Sequence, residues 1–394
     1  MYDVIVVGAR CAGAPTAMLF ARAGYRVLLL ERAHFPADRL STLYIQQTGV
    51  LLLKRWGLLD AVIATGCPPL DRVVYRMGDV RVEGCASEVD GVRAAYAPRR
   101  YLLDRLLAEA AVAAGAELRQ GCSVNEVVTE GGRVVGVRYR TEGKTVTEHC
   151  RLLVGADGMR STVAGLVGAP KTVENERLTC AYYTYWRGVT ADFELYEGET
   201  GWVSAVPTND LVLVSAYYPQ HRFAEVQRRA YPAYLENIEV NAPDLHARLA
   251  GAERVDRLYG TGDQQNFFRQ ASGPGWALVG DAGTHKDSLT ARGIGDAFLQ
   301  AQLLVDRVGT ELREPDRLDL ALKTYAEDRD QALLENYKGT QLVAQAAARD
   351  KRRALLRAVG SSPELTQIYF DTVAGLRPVG DLYTPELLAM LAAS

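Results

Sequence analysis

No two of the six cysteines lie closer than 18 residues, so the chain has no C-x-x-C pair. That spacing argues against a zinc site or a dithiol redox couple, although an even count leaves disulfides open. No apolar run reaches the roughly 18 residues that a bilayer-spanning helix needs. The N-terminus enters a strand within three residues, without the basic leader and small-residue cleavage site of a secretory signal. There is no repeat, no low-complexity tract and no charge excess beyond a formal −3, which makes nucleic acid and anionic membranes poor partners. The absences together point to a reduced, cytoplasmic protein that holds no metal and meets small molecules. What remains is ordinary globular material, 48% hydrophobic and 24% charged, with room in 394 residues for two domains or one large domain with insertions.

Two textures alternate along the chain. One is βαβ-like: DVIVV, a helix from Ala12 to Arg22 ended by Gly24, the strand YRVLLLE, and later RLLVGADG and WALVGDAG. Short, continuously apolar strands of this kind suit a parallel sheet buried on both faces. The other runs from Leu178 to Pro219, where LTCAYYTYWRGV, FELY, GWVSAVP and LVLVSAYYP are separated by GET and TND turns. These are hairpin-spaced aromatic strands of an antiparallel sheet. RVVYRMG and VRVEGCA, between Arg72 and Ala86, look like further strands of that sheet, which would then draw on two separated segments. After Arg313 apolar residues recur every three or four positions to the end, predicting a helical tail that packs as a cover or forms a dimer.

Three turns carry chemistry. In GARCAG, Gly8 and Gly13 frame a phosphate-binding turn, and Glu31 ends the second strand 18 residues past Gly13. A carboxylate there takes both hydroxyls of an adenosine ribose and favours an unphosphorylated one, as in FAD or NAD. Arg10 occupies the place of the middle glycine. Its side chain must leave the phosphate path, folding over a pyrophosphate or pairing with a carboxylate elsewhere. The second turn is GADGMRS, Gly155 to Ser161. The third is Gly275 to Phe298, a strand, an acidic turn, a loop and a helix with Ile294, Ala297, Phe298, Ala301, Leu304, Val305 and Val308 on one face. The free amides where that helix starts, near Gly293 and Ile294, suit the negative edge of a reduced flavin, and Asp281 can accept from a ribityl hydroxyl.

In this order and spacing the three turns resemble the fingerprints of the single-component, class A FAD-dependent aromatic hydroxylases, the para-hydroxybenzoate hydroxylase fold. More closely they look like an actinobacterial branch of FAD-dependent oxidoreductases whose first turn is also GARCAGAP. The resemblance extends to about Phe298. It implies FAD contacts for Gly8, Arg10, Cys11, Ala12, Gly13, Glu31, Arg32, Asp157, Gly280, Asp281, Gly293 and Ile294, and for Arg100, whose RRYLLDRLL matches the family's R-x-x-L element. It also implies an α/β fold. A Rossmann-like FAD-binding domain (1–70, 98–170, 270–310) carries an inserted antiparallel substrate sheet (71–97, 171–269) and a helical C-terminal region (311–394).

The third fingerprint departs from the family's G-D-A-A-H-x-x-x-P-x-x-G-Q-G. Thr284 stands for the histidine, Ser288 for the proline, Ala291 for a glycine and Arg292 for the glutamine. Losing the proline and glycine predicts that this loop cannot follow the ordinary path without strain.

In the family the oxidant forms on the flavin, so the protein orients substrate, excludes water and governs when NAD(P)H meets the cofactor. No second Rossmann unit for a nicotinamide is visible, which fits a transient NAD(P)H co-substrate. Pocket candidates are Tyr183, Tyr185 and Trp202 on the antiparallel sheet, with Asn266, Arg269, His285 and Lys286 near the flavin loop. The implied activity is an FAD- and NAD(P)H-dependent monooxygenase on an aromatic or polycyclic small molecule, in specialised metabolism. A reductase or dehydrogenase of the geranylgeranyl-reductase type shares all three turns and is the main alternative. A flavin halogenase would carry W-x-W-x-I-P and an essential lysine. Here GWVSAVP has Ser204 for the second tryptophan, and no lysine lies between Lys54 and Lys144. A flavin-free binding protein, like the prenyl-protein escort factors, has no need of Glu31, Asp157 and Asp281 together.

Overall fold

Every side chain of the strands Val4–Val7, Val27–Leu30 and Leu152–Gly155 is buried. Such runs can pair only inside a sheet covered on both faces. They do so in parallel, with Leu152–Gly155 and Val27–Leu30 flanking Val4–Val7. Glu117–Arg119 and Trp276–Leu278 extend the sheet to either side, and Ser272–Gly273 closes one edge. The computed structural model that shows this describes residues 1–36 and 41–393.

Alternation along each strand sends side chains to two separate cores. Val4, Val6 and Leu29 face the helices Gly13–Arg22, Arg100–Ala113 and Gly293–Val308. Ile5, Val7, Leu28 and Leu30 face a three-stranded meander, Ser123–Glu130, Arg133–Thr141 and Lys144–His149, through Val124, Val134 and Val137. The meander alternates buried and exposed positions too irregularly to be read from the sequence.

The aromatic segments form the second sheet, in the order Glu253–Arg254, Thr179–Arg187, Val212–Pro219, Trp202–Pro207, Phe193–Glu197, Val73–Met77, Val80–Gly84. Its pairings are antiparallel except one. Phe193–Glu197 runs parallel to Val73–Met77, where the two chain segments meet without a hairpin to reverse them. Helices Ala230–Asn241 and Pro243–Leu249 cover one face through Tyr234, Ile238 and Leu245.

The tail is helical but broken. Pro315–Val343 places Leu318, Leu322, Tyr325, Arg329, Leu333 and Tyr337 along one buried stripe. Arg349–Gly360 and Pro363–Val373 then pack Leu356, Val359, Leu365 and Phe370 on Met77, Val80 and Val82 of the second sheet. The tail is therefore a packed cover that joins both sheets. Among the described residues no helix is long and apolar enough to cross a membrane, and all six cysteines are free.

Candidate active site

The three motif turns meet at one end of the parallel sheet. Gly8 lies at φ 100°, and a Cβ there would sit 2.4 Å from the carbonyl oxygen of Ala156. Only glycine lets the first turn cross the second so closely. A Cβ on Gly13 would strike the Gly8 carbonyl at 1.7 Å, and one on Gly280 would strike the Ala12 methyl at 2.7 Å, so the third turn packs on the first.

Glu31, buried at the tip of its strand, accepts from the Ala9 amide on one oxygen and the Ala33 amide on the other, at 3.0 Å each. Arg10 turns away from the phosphate path to Asp104, with Nη1 2.5 Å from Oδ2. Arg100 grips the same carboxylate from one helical turn earlier through Nε at 3.0 Å and Nη2 at 3.1 Å. The Cys11 thiol donates to it at 3.3 Å, and burial holds that thiol well above its ordinary pKa, hence protonated. Two guanidiniums around one wholly buried carboxylate leave a net positive charge beside the turn.

Asp157 spends its carboxylate inside its own loop, accepting from the Ser161 hydroxyl at 2.5 Å and from the amides of Thr162 and Val163 at 2.7 and 3.1 Å. Asp281 has no hydrogen-bond partner among the described residues and feels the charge of Arg100. Arg32 is exposed. Gly293 opens the 16-residue helix Gly293–Val308, followed by Ile294, and a Cβ on Gly293 or Gly295 would meet nothing within 4 Å.

The loop between Thr284 and Arg292 is tied down on every side. The Asp287 amide donates to Asn266 Oδ1 at 2.8 Å, and its carboxylate accepts from the Thr179 amide and hydroxyl and from the Leu289 amide. Burial pushes the Asp287 carboxyl up, against the pull of the Thr179 and Leu289 donors. Ser288 donates to Gln264 Oε1 from its amide at 3.1 Å and from its hydroxyl at 2.5 Å, and Tyr217 meets its hydroxyl at 3.1 Å. Thr290 pairs with Thr340, and Arg292 Nη2 donates to the Val373 carbonyl at 2.7 Å. Ala291 sits in the left-handed region at φ 51°, so the loop takes the turn a glycine makes easily and bears the strain.

Against this loop opens a cavity of about 310 Å³. One wall is the second sheet, with Phe193, Leu195, Trp202 and Val206. Another is the loop itself, Leu289 to Arg292, and the tail supplies Thr340, Tyr369, Phe370 and Leu382. Of the seven pocket candidates only Trp202 lines it. Tyr183 and Tyr185 belong to the apolar cluster beside it, Tyr183 stacked on Tyr259 at 5.4 Å and Tyr185 under the Arg99 guanidinium at 4.0 Å. Asn266 is buried, bonded to Glu176, Asp287 and Gln341. Arg269 and His285 pack on Phe267, and His285 also meets the Gln265 carbonyl. Lys286 is buried in an ion pair with Asp296 on the following helix. The tail's share of the cavity has no sequence signal beyond its amphipathic stripe, because apolar side chains that line a cavity and those that fill a core share one pattern.

A family model described as an FAD binding domain matches residues 1–337. The chain belongs to this FAD-binding family. The digeranylgeranylglycerophospholipid reductase of Methanosarcina acetivorans is 29% identical over 310 residues, 76% of this chain and 72% of the reductase. The myxobacterial chondrochloren halogenase superposes with a TM-score of 0.80 at 23% identity, covering 100% of this chain and 96% of the halogenase. PqsL, described as a probable FAD-dependent monooxygenase from Pseudomonas aeruginosa, does so with a TM-score of 0.72 at 20% identity, covering 94% of this chain and 99% of PqsL. The two structural likenesses carry the fold. As a member of this family the chain is an FAD-dependent oxidoreductase, and its residues fit the cofactor. Each Glu31 oxygen keeps a lone pair for a ribose hydroxyl, Asp281 keeps its carboxylate free, and a Cβ built on Gly293 or Gly295 at the helix start would meet only open space.

Proposed function

We propose that the chain is a monooxygenase that uses NAD(P)H and molecular oxygen to hydroxylate an aromatic or polycyclic small molecule in specialised metabolism. The observation that carries this reading is the cavity walled on one side by aromatic and aliphatic side chains and on another by Leu289, Thr290 and Ala291 of the loop beside the flavin site. Bound FAD would supply hydride acceptance and oxygen chemistry. Gly8, Glu31, Asp281 and the amides at Gly293 and Ile294 would hold it, with Arg10 and Arg100 setting the charge beside its pyrophosphate. The protein's part is then to seat a flat, apolar ring against the loop and to keep water away from it, which Phe193, Trp202, Leu289 and Phe370 are built to do.

Among the described residues no lysine lines the cavity, which favours oxygenation over halogenation. The reductase reading has in its favour the likeness to several archaeal digeranylgeranylglycerophospholipid reductases, 26–29% identical to this chain. The test is turnover of the FAD-loaded protein with NADH or NADPH under isotope-labelled oxygen, across a panel of naphthols, quinones and polycyclic phenols. A product carrying one labelled oxygen, with nicotinamide oxidation that accelerates when that compound is present, supports the monooxygenase. A product that gains only hydrogen moves the assignment to the reductase, and one that gains halide from added chloride or bromide moves it to the halogenase.

A further inference from the structure

Three cations line the cavity, and they differ in what they already hold. Arg352 is fully spent. Its Nε and Nη2 go to Glu197, and Nη1 goes to the carbonyls of Leu342 and Gln345 at 2.9 and 3.1 Å. Arg93 is exposed, with Nε on the Cys85 sulfur at 3.1 Å. Arg292 spends one donor on the Val373 carbonyl, and among the described residues no carboxylate comes within 4.0 Å of it.

The two carboxylates that act on Arg292 from a distance are Asp296 and Glu335. Lys286 holds the first, and the second is exposed and accepts from the Val379 amide at 3.1 Å. Around Arg292 the wall is Tyr44, stacked on Phe193 at 4.2 Å, with Leu289, Val373 and Ala374. Burial holds Tyr44 well above the ordinary phenol range, so it stays neutral. The same desolvation lowers the pKa of Arg292 itself. A guanidinium remains charged in such a place and is best relieved by an anion that brings its own fork-matching oxygens.

We propose that Arg292 anchors an acidic oxygen, a carboxylate or a phenolate, on the ring compound that the cavity takes. This rests on the reading of the cavity as the substrate site beside the flavin. It makes the residue that replaces the family's glutamine a determinant of specificity. The ring lies against Leu289 and Phe193, and its acidic edge lies toward the start of helix Gly293–Val308.

The probes are 2-naphthoate and its neutral isostere 2-naphthamide, titrated into FAD-loaded protein and followed both by calorimetry and by perturbation of the flavin spectrum. Wild-type protein should hold the naphthoate roughly ten- to a hundredfold more tightly than the amide, the span of a charge-assisted hydrogen bond in a half-buried site. Arg292→Gln should bring the ratio near one without changing the affinity for naphthamide or for FAD, and Arg292→Lys should restore part of it. A wild-type ratio near one, a ratio that survives Arg292→Gln, or a site that takes neither probe overturns the proposal. So does a glutamine variant that loses FAD and leaves the ratio unchanged, since the arginine then serves the cofactor. If both probes bind by calorimetry and leave the flavin spectrum unmoved, the cavity is not the flavin's substrate site and the functional reading falls, while the ratio still reports on Arg292.

Discussion

Arg10 and Asp104, 94 residues apart in the chain, form a 2.5 Å ion pair at the mouth of the first turn. The pair explains how an arginine occupies the place of a close-approach glycine. Asp104 draws the side chain off the turn's backbone, where the proposed cofactor phosphate would lie. Because Arg100 keeps its own grip on Asp104, Arg10→Gly should leave the fold intact. It should also weaken FAD severalfold, about 1 kcal/mol, by removing one of the two positive charges beside the pyrophosphate. Asp104→Ala strands two half-buried guanidiniums and should cost about 3–5 kcal/mol of stability. Urea unfolding and fluorescence titration of apoprotein with FAD check both. An FAD affinity untouched by Arg10→Gly would reduce Arg10 to a prop for the helix.

Glu31→Ala should weaken FAD by about 1.5–3 kcal/mol through loss of a charge-assisted acceptor. The structure adds a second effect. Both Glu31 oxygens also hold backbone amides, at Ala9 and Ala33, so the alanine variant should lose thermal stability even without cofactor. Glu31→Gln keeps one carbonyl acceptor and should fall between wild type and alanine on both counts. Apoprotein melting curves and FAD titrations separate the two effects, and an alanine variant that melts normally would show that the amides find other partners.

How much of this was legible beforehand depends on whether the signal was local. The glycines, Glu31 and the apolar strands were legible because each answers a constraint within a few residues: a tight turn, a strand tip, a doubly buried run. The strand pair at Val73–Met77 and Val80–Gly84 was legible as strands, but its parallel joint to Phe193–Glu197 was not, because registry between distant segments leaves no local pattern. Arg10 had two open destinations on paper, and the choice depended on Asp104, which only the fold brings near. His285 and Lys286 drew attention as polar residues beside a motif. The first instead packs on Phe267, and the second is neutralised by Asp296.

Asp263 joins the second turn to the antiparallel sheet. Arg160 and Arg177 both reach its carboxylate at 2.7 Å, and the Arg160 hydrogen bond leads in holding its pKa down to about 2, against burial and with help from Arg177. A carboxyl depressed in the folded state contributes stability that is fully present above its unfolded value near 3.8 and is lost as the pH falls through about 2. Asp263→Asn should therefore flatten the stability curve between pH 4 and pH 2 and lower stability at neutral pH by the same amount, with variant and wild type converging below about pH 2; both effects are modest, since both arginines are largely exposed and screened. Unfolding free energies measured at several pH values across that window check it. Parallel acid limbs for variant and wild type would assign the acid sensitivity elsewhere.

The loop beside the proposed flavin site carries its departures from the family's fingerprint as paired features. Ala291 holds φ 51°, ψ 37° without a glycine's freedom, at a cost of about 1–2 kcal/mol, part of which glycine would return in unfolded-state entropy. Ala291→Gly should thus stabilise the protein by about 0.5–1 kcal/mol. Ser288 stands where the family has proline, and its amide and hydroxyl both donate to Gln264 Oε1. The preceding residue, Asp287, already has the extended ψ of 134° that proline demands, so Ser288→Pro fits the backbone yet removes both donors. It should cost about 1–2 kcal/mol. The two variants make opposite predictions about order in one loop, and hydrogen exchange at Leu289, Thr290 and Gly293 reads it directly. Slower exchange in Ala291→Gly and faster exchange in Ser288→Pro would show that Gln264, and not a rigid proline, sets the loop's path. Equal exchange in both would mean that the anchors at Asp287, Thr290 and Arg292 suffice. Nicotinamide oxidation without substrate should follow the same order, rising in Ser288→Pro as the loop admits water to the flavin edge.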